Sequence, residues 1–228
     1  AAMSAGLVYY VIPHSTYSLS LPLLRMVRSA TSSNRVTSIH FMESAAEEEF
    51  LSNHSGPIKE SYLRSGLRIT HETVSDHVTA VLNEITRSGN LILVHNTFAG
   101  KEIVRKLHER KNLFWCLCPR SNLYIENHLP QIEMLVEEGC EIVMGTDSLA
   151  SNSSLSILEE IKTIQNHFSS IPLEILIRWA TLNGAKALCR GSQYGSIDSG
   201  KRPGLLLIQD ADLVNLKLTR ESKIKRLI

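Results

Sequence analysis

Four polar residues, His40, Glu43, His95 and Asp147, each follow a short and almost continuously apolar run of the sequence. Imidazoles and a carboxylate are the ligands of a divalent metal that activates water. Glu43, three residues after His40, would lie beside such a metal as a proton shuttle. Taken alone, each is more often a cap or turn residue, and an N-cap role is the alternative for Asp147. Their joint placement favours a metal-dependent hydrolytic site.

Other polar residues sit at similar positions. His14 follows a proline after the first apolar run, where it could contact a ligand or be an ordinary loop histidine. Ser121 and Asn122 could bind a ligand, although a Ser or Asx turn is the better prediction in isolation. Residues 47–49 are three glutamates, and we expect them to form a solvated first turn of a helix.

The apolar runs predict the elements that must position these residues. Runs of this kind cover residues 7–12, 36–39, 91–94, 113–117 and 141–144. Short runs with little alternation are typical of strands buried on both faces, which in turn indicates a parallel sheet covered by helices. Helical periodicity between and beside them covers residues 21–29, 45–52, 74–88, 101–110 and 129–138, with Gly89 and Gly139 as C-terminal stops.

The resulting β-α order has two parallel solutions, a doubly wound sheet and an eight-stranded barrel, which the pattern alone does not separate. Polar groups at the ends of several different strands are typical of the barrel. After residue 151, helices are predicted over 155–168, capped by Ser154 or Ser156, and over 173–188. Residues 205–208 and 213–218 are strand-like and predict a small separate sheet, and the basic residues of 223–226 are expected to be solvated.

Composition limits the partners and the compartment. The 228 residues carry 24 Lys and Arg against 23 Asp and Glu, a net charge of +1, so no global field recruits nucleic acid or an anionic membrane. A small, nearly neutral molecule fits better. Apolar stretches are far shorter than a membrane span requires, and the four cysteines are too few for a disulfide scaffold, which favours free thiols in the cytoplasm.

The motifs resemble the amidohydrolase superfamily, specifically its chlorohydrolase and nucleobase-deaminase branch. The resemblance rests on residues 13–18 (PHSTYS), 39–44 (IHFMES), 94–96 (VHN), 118–123 (CPRSNL) and 145–152 (GTDSLASN). It implies an α/β fold, a partial TIM-type (β/α)8 barrel of about strands 4 to 8 over residues 1–194. Residues 195–228 would be strands of a small β-sandwich.

The resemblance also implies roles. His40 and Asp147 would bind the metal, Zn²⁺ or alternatively Fe²⁺, and Glu43 would shuttle protons. Asp147 would also take a proton from the attacking water, and His95 would hold that water or the developing oxyanion. His14, Ser121 and Asn122 would contact the substrate. The implied reaction is hydrolytic deamination of a purine-like or related amino-heterocycle by metal-bound hydroxide.

One departure from the family pattern bears on activity. The family's first strand carries a His-x-His pair that completes the metal site, and these 228 residues contain no His-x-His. We therefore expect weak metal binding and little turnover from the 228 residues alone, and either homo-oligomerisation or a complementing N-terminal segment. Alternative functions are hydrolysis of a carbon-halogen or cyclic amide bond, and a non-catalytic assembly module.

Overall fold

The computed structural model describes residues 4–6, 9–68, 82–85 and 89–228, and the chain divides into two compact units, residues 1–113 and 114–228. None of the described helices is long and apolar enough to cross a lipid bilayer. The helices are α1 Leu21–Ala30, α2 Ala45–Asn53, α3 Gly56–Arg64, α4 Lys101–Leu107, α5 Pro119–Glu126, α6 Ile132–Glu137, α7 Ile157–His167, α8 Leu173–Arg178, a π-helix Trp179–Asn183 and α9 Gly184–Ala187. The strands are β1 Val36–Phe41, β2 Asn90–His95, β3 Leu113–Leu117, β4 Ile142–Met144, β5 Leu206–Gln209 and β6 Lys223–Arg226.

The first unit is organised by β1 and β2, which pair in parallel with Val36 opposite Asn90 and Phe41 opposite His95. Ile39 and Leu93 are almost fully buried, as expected for strands with covered faces. The predictions for residues 36–39 and 91–94 are confirmed, each strand extending slightly further. Since the strands are parallel and in register, their carboxyl ends lie side by side.

The other side of β1 differs from the prediction. Residues 9–12 form no strand and are exposed, so the predicted strand over residues 7–12 is wrong for this part, and residues 7 and 8 lie outside the described residues. A parallel bridge between Ser15 and His40 is the contact seen here, with the His40 amide donating to the His14 carbonyl at 2.9 Å. Residues 13–15 therefore run beside the end of β1.

Two helices after β1 illustrate what periodicity can and cannot predict. Helix α2 begins at a Ser44 cap, whose hydroxyl accepts from the Glu47 amide at 3.2 Å, and it confirms the prediction over residues 45–52. Helix α3 was not predicted, and none of its residues is buried. A helix that buries no face need not show the apolar periodicity by which a helix is predicted. The helix predicted over residues 74–88 falls largely outside the described residues, which include 82–85.

The second unit contains β3 and β4, which are also parallel, with Leu117 opposite Met144. Helix α6 ends before Gly139, which has a φ of 69° and confirms the predicted stop, because this left-handed conformation favours glycine. Ser156 is the N-cap of α7, which confirms one of the two predicted caps, Ser154 or Ser156. The helix predicted over residues 173–188 is present as α8, the π-helix and α9 in succession.

The end of the chain forms a two-stranded antiparallel pair, β5 with β6. The strand predicted over residues 213–218 is wrong: Leu213 and Val214 are 80% and 92% exposed, and a bridge between Asp212 and Lys217 closes a turn. Alternating apolar residues predict a half-buried strand only when another surface covers one face. The division into a barrel portion, residues 1–194, and sandwich strands, residues 195–228, stays a prediction.

Candidate active site

Three histidines meet at the strand ends of the first unit. His40 is the fifth residue of β1 and His95 is the last residue of β2. Their ring centroids are 5.0 Å apart, and the His14 ring lies 4.7 Å from that of His40 on the other side. His40 and His95 therefore lie at the ends of neighbouring strands, as predicted, whereas His14 lies beside the end of β1 without a strand of its own.

Glu43 joins this cluster through an unusual backbone. Met42 and His95 have φ values of 48° and 79°, a left-handed conformation that is uncommon for residues other than glycine and is concentrated at functional sites. The turn at Met42 carries the chain from β1 to Glu43, whose Oε1 lies 3.4 Å from Nε2 of the fully buried His95. This separation is longer than the roughly 2.6 to 3.2 Å across which a proton is transferred, a distance that such pairs often reach only when substrate is bound.

Glu47 corrects the prediction of a solvated acidic turn. It is only 1% exposed, whereas Glu48 and Glu49 are exposed as predicted. Glu47, Phe50 and Leu51 form the buried face of α2, so the spacing of three and four residues from two large apolar side chains was the available signal. Burial raises the pKa of Glu47 to about 7, against the hydrogen bonds that lower it.

Three donors surround the Glu47 carboxylate. Thr16 donates its hydroxyl to Oε1, which also accepts from the Met42 amide at 3.2 Å, and the Glu43 amide donates to Oε2 at 2.9 Å. The carboxylate thus connects the segment that carries His14 to the turn that carries Glu43. Sequence reasoning missed this connection because Thr16 and Glu47 are 31 positions apart.

Tyr17 is a further residue that the motifs did not single out. Burial, and next the charge of Glu43, raise the pKa of its phenol. The Tyr62 hydroxyl of α3 donates to the Tyr17 carbonyl at 3.0 Å, which holds this segment against the helix. The Tyr17 side chain is half-buried, and its phenol is within the electrostatic influence of the Glu43 carboxylate.

Asp147 is the centre of polar contacts in the second unit. It follows β4 with a left-handed φ of 55°, and both Ser121 and Ser151 donate their hydroxyls to its Oδ2, the former at 2.9 Å. The N-cap alternative for Asp147 is wrong, since Ser156 caps the next helix. Ser121 and Asn122 lie buried in the first turn of α5, so the isolated turn predicted for them is also wrong.

A buried carboxylate, that of Glu160, accepts hydrogen bonds from residues next to Ser121 and Ser151. Glu160, in the first turn of α7, is 0% exposed and accepts from the Arg120 amide at 3.0 Å. The Asn152 amide group bridges it to the backbone after β4, donating to Glu160 Oε1 at 2.6 Å and to the Thr146 carbonyl at 2.8 Å. Burial raises the pKa of Glu160, while hydrogen bonds from Arg120 and Asn152 and the Arg120 charge oppose the rise.

Comparison with known proteins identifies the family of the chain. The model of the amidohydrolase family matches residues 2–224. The chain belongs to the amidohydrolase family. Over 222 residues it is 29% identical to an adenosine deaminase of Helicobacter pylori, an alignment that covers 92% of this chain and 51% of the relative.

Solved structures of the family give the fold. The aminofutalosine deaminase of Helicobacter pylori in complex with methylthio-coformycin matches with a TM-score of 0.71 at 28% identity, over 87% of this chain and 49% of that one. A zinc-bound adenosine deaminase of Xanthomonas campestris matches with a TM-score of 0.69 at 23% identity, over 91% and 45%. The chain therefore has the fold of part of an amidohydrolase barrel and spans about half the length of these proteins.

Proposed function

We propose that the chain carries part of the site of a metal-dependent deaminase, which hydrolyses the exocyclic amine of a purine-like or related amino-heterocycle. The observation that carries the proposal is the cluster of His14, His40 and His95 with Glu43 3.4 Å from His95. The family membership supports it, as do the matched deaminases of adenosine and aminofutalosine.

The donor chemistry fits a divalent metal such as zinc. His40, His95 and Asp147 each offer one ligand atom, and nitrogen and carboxylate ligands suit zinc, with Fe²⁺ as the alternative. We propose that His40 and Asp147 are the ligands, with the Ser121 and Ser151 hydroxyls orienting the Asp147 carboxylate. When bound, the metal would act as a Lewis acid and lower the pKa of water.

The protein groups around it would then move the protons. Asp147 would take a proton from the attacking water, and Glu43 would donate one to a ring nitrogen of the substrate. His95, beside Glu43, would hydrogen-bond the water or the oxygen that becomes negative. His14 is exposed and lies against His40, so it is accessible to a bound heterocycle, and Ser121 and Asn122 are proposed to act from the second unit.

Incomplete ligation is part of the proposal. The resemblance calls for a His-x-His pair, and these 228 residues contain none, so a complementing segment would supply it. We expect the 228 residues alone to bind zinc weakly and to turn over little or no substrate. Titration calorimetry with zinc and light scattering would measure the stoichiometry and the oligomeric state. Tight one-to-one zinc with fast turnover would overturn the proposed incompleteness.

The reaction class is tested by what the protein releases. Release of ammonia is measured with adenosine, methylthioadenosine and guanine, and release of chloride with a chlorinated heterocycle. Each assay is run with and without a fragment of a relative that carries the first barrel strands. Glu43→Gln should abolish any ammonia release, since an amide cannot shuttle the proton, and Glu48→Gln is the matched control on the exposed face of α2. Chloride release without ammonia release would favour a chlorohydrolase. Equal activity of Glu43→Gln and Glu48→Gln would contradict a shuttle role for Glu43.

A further inference from the structure

Glu47 occupies a position that helix stability alone does not explain. An acidic residue in the first turn of a helix is favourable when exposed, because it faces the positive end of the helix dipole. Glu47 is instead buried, and transfer of a carboxylate into the interior is costly unless its acceptors are used. Glu48, next to it in the same turn, shows that the helix has an exposed acidic position as well.

The three contacts of Glu47 require an acceptor oxygen at both terminal positions of the side chain. Oε1 accepts from Thr16 and Met42, and Oε2 accepts from Glu43. A glutamine in this place would put its NH₂ group against either the Met42 amide or the Glu43 amide, donor against donor. A carboxylate is the side chain of this length that satisfies all three donors at once.

These donors belong to the two segments that carry proposed site residues. The Met42 and Glu43 amides form the left-handed turn that places the Glu43 side chain beside His95. Thr16 lies two residues after His14, whose carbonyl holds the end of β1. The Glu47 carboxylate therefore sets the distance between these segments and the orientation of the turn.

We propose that Glu47 is a positioning residue, which aligns the Glu43 carboxylate with His95 and keeps the His14 segment beside it. This inference deepens the proposed function and, as far as the reaction is concerned, rests on it. Loss of alignment on the scale of 1 Å can cost a proton-transfer step about 100-fold in rate. The alignment is made by groups of this chain, so it can be measured without activity.

The experiment compares Glu47→Gln, Glu48→Gln and Glu43→Gln with the wild-type chain, all free of metal. Correlation spectra of the histidine ring nitrogens report the Glu43 carboxylate through His95, and Glu43→Gln defines the shift caused by its loss. We expect Glu47→Gln to move the His95 signals towards those of Glu43→Gln and to speed exchange of the Glu43 amide about 10-fold. Glu48→Gln should leave both unchanged.

A purely structural role would give a different result. Glu47→Gln would then lower the melting temperature while the His95 signals stayed at the wild-type position, and this would overturn the proposal. If Glu47→Gln does not fold, the pair Thr16→Val and Thr16→Ser decides, since the valine removes one donor and the serine keeps it. We expect the serine variant to restore the wild-type His95 signals, and equal signals in both variants would contradict the proposal.

The results that would refute the proposed deaminase differ from those that would refute the role of Glu47. Absence of zinc binding and ammonia release, even with the complementing fragment, would refute the deaminase. The ring-nitrogen and amide-exchange results would still decide whether Glu47 aligns Glu43.

Discussion

In each of the two units, a glutamate in the first turn of a helix is buried, and the two glutamates, Glu47 and Glu160, accept hydrogen bonds from different kinds of donor. Glu47 in the first unit accepts from two backbone amides and a hydroxyl, all of them neutral donors. Glu160 in the second unit accepts from a backbone amide and from Asn152, and Nε of the Arg120 guanidinium lies 4.0 Å from its Oε1. Both are at most 1% exposed.

This difference separates two ways of holding a buried negative charge. Neutral dipoles leave the pKa of Glu47 at about 7, so that near neutral pH the ionised and protonated forms have similar populations. The Arg120 charge opposes the rise in the pKa of Glu160. We therefore expect the stability of the first unit to depend on pH through its buried carboxyl group, and that of the second to depend more on the donors that surround Glu160.

The largest effect is expected where the Glu160 carboxylate is removed. Glu160→Ala takes the common acceptor away from the Arg120 backbone amide and the Asn152 side-chain amide, and each buried donor left without this partner costs about 1 to 3 kcal/mol. The Arg120 guanidinium, 27% exposed, keeps its hydrogen bond to Asn152. Urea unfolding at pH 7 measures the loss. Glu159→Ala is the matched control: its side chain is 36% exposed, 3.9 Å from Arg120, and a pair of this kind contributes at most about 1 kcal/mol. Similar losses in both variants would contradict the distinction between the two glutamates.

A smaller effect is expected from the pH dependence of Glu47. Its pKa in the folded protein, about 7, is above its value in the unfolded chain, so the folded state binds the proton more tightly. The free energy of unfolding therefore falls as the pH rises from the unfolded to the folded pKa, and this group accounts for about 2 kcal/mol between pH 5 and pH 7. The charge of Glu43 is a minor cause of this raised pKa, after burial.

Urea unfolding at pH 5 and pH 7 tests this dependence in the wild type and in Glu47→Gln. The variant should lose about 2 kcal/mol less than the wild type over this interval, because the amide does not titrate. Glu160→Gln should alter the pH dependence less. An identical pH dependence in wild type and Glu47→Gln would show that Glu47 does not carry a raised pKa.

The two glutamates also show how far sequence reasoning reaches. The strands were predicted closely at β1, β2, β3 and β4 because each apolar run is too short for a buried helix and is rich in β-branched or aromatic residues. Those strands placed His40, Glu43, His95 and Asp147 at strand ends, as predicted. The burial of Glu47 could be suspected only from its spacing to Phe50 and Leu51. Its contact with Thr16 depends on a segment 31 residues earlier, which no local pattern reports.

Errors at the chain end have a similar cause. Residues 213–218 alternate as a strand would, but the described residues provide no neighbouring strand to pair with them beyond the turn bridge. The basic residues of 223–226 are exposed as predicted, yet they pair with β5 as strand β6. In both places the partner, more than the local composition, decides the structure.

The smallest expected effect concerns how each unit orients its site carboxylate. Glu43 takes its position from its backbone, whereas Asp147 is held by two hydroxyls that donate to the same oxygen, Oδ2. Loss of one hydroxyl leaves the other to satisfy that oxygen, so Ser121→Ala or Ser151→Ala alone should cost about 1 kcal/mol. The double variant should cost more than the sum, by about 0.5 to 1 kcal/mol, since the carboxylate then loses both donors. Urea unfolding of the four proteins in this cycle measures the coupling, and strict additivity would mean that the two hydroxyls act independently on Asp147.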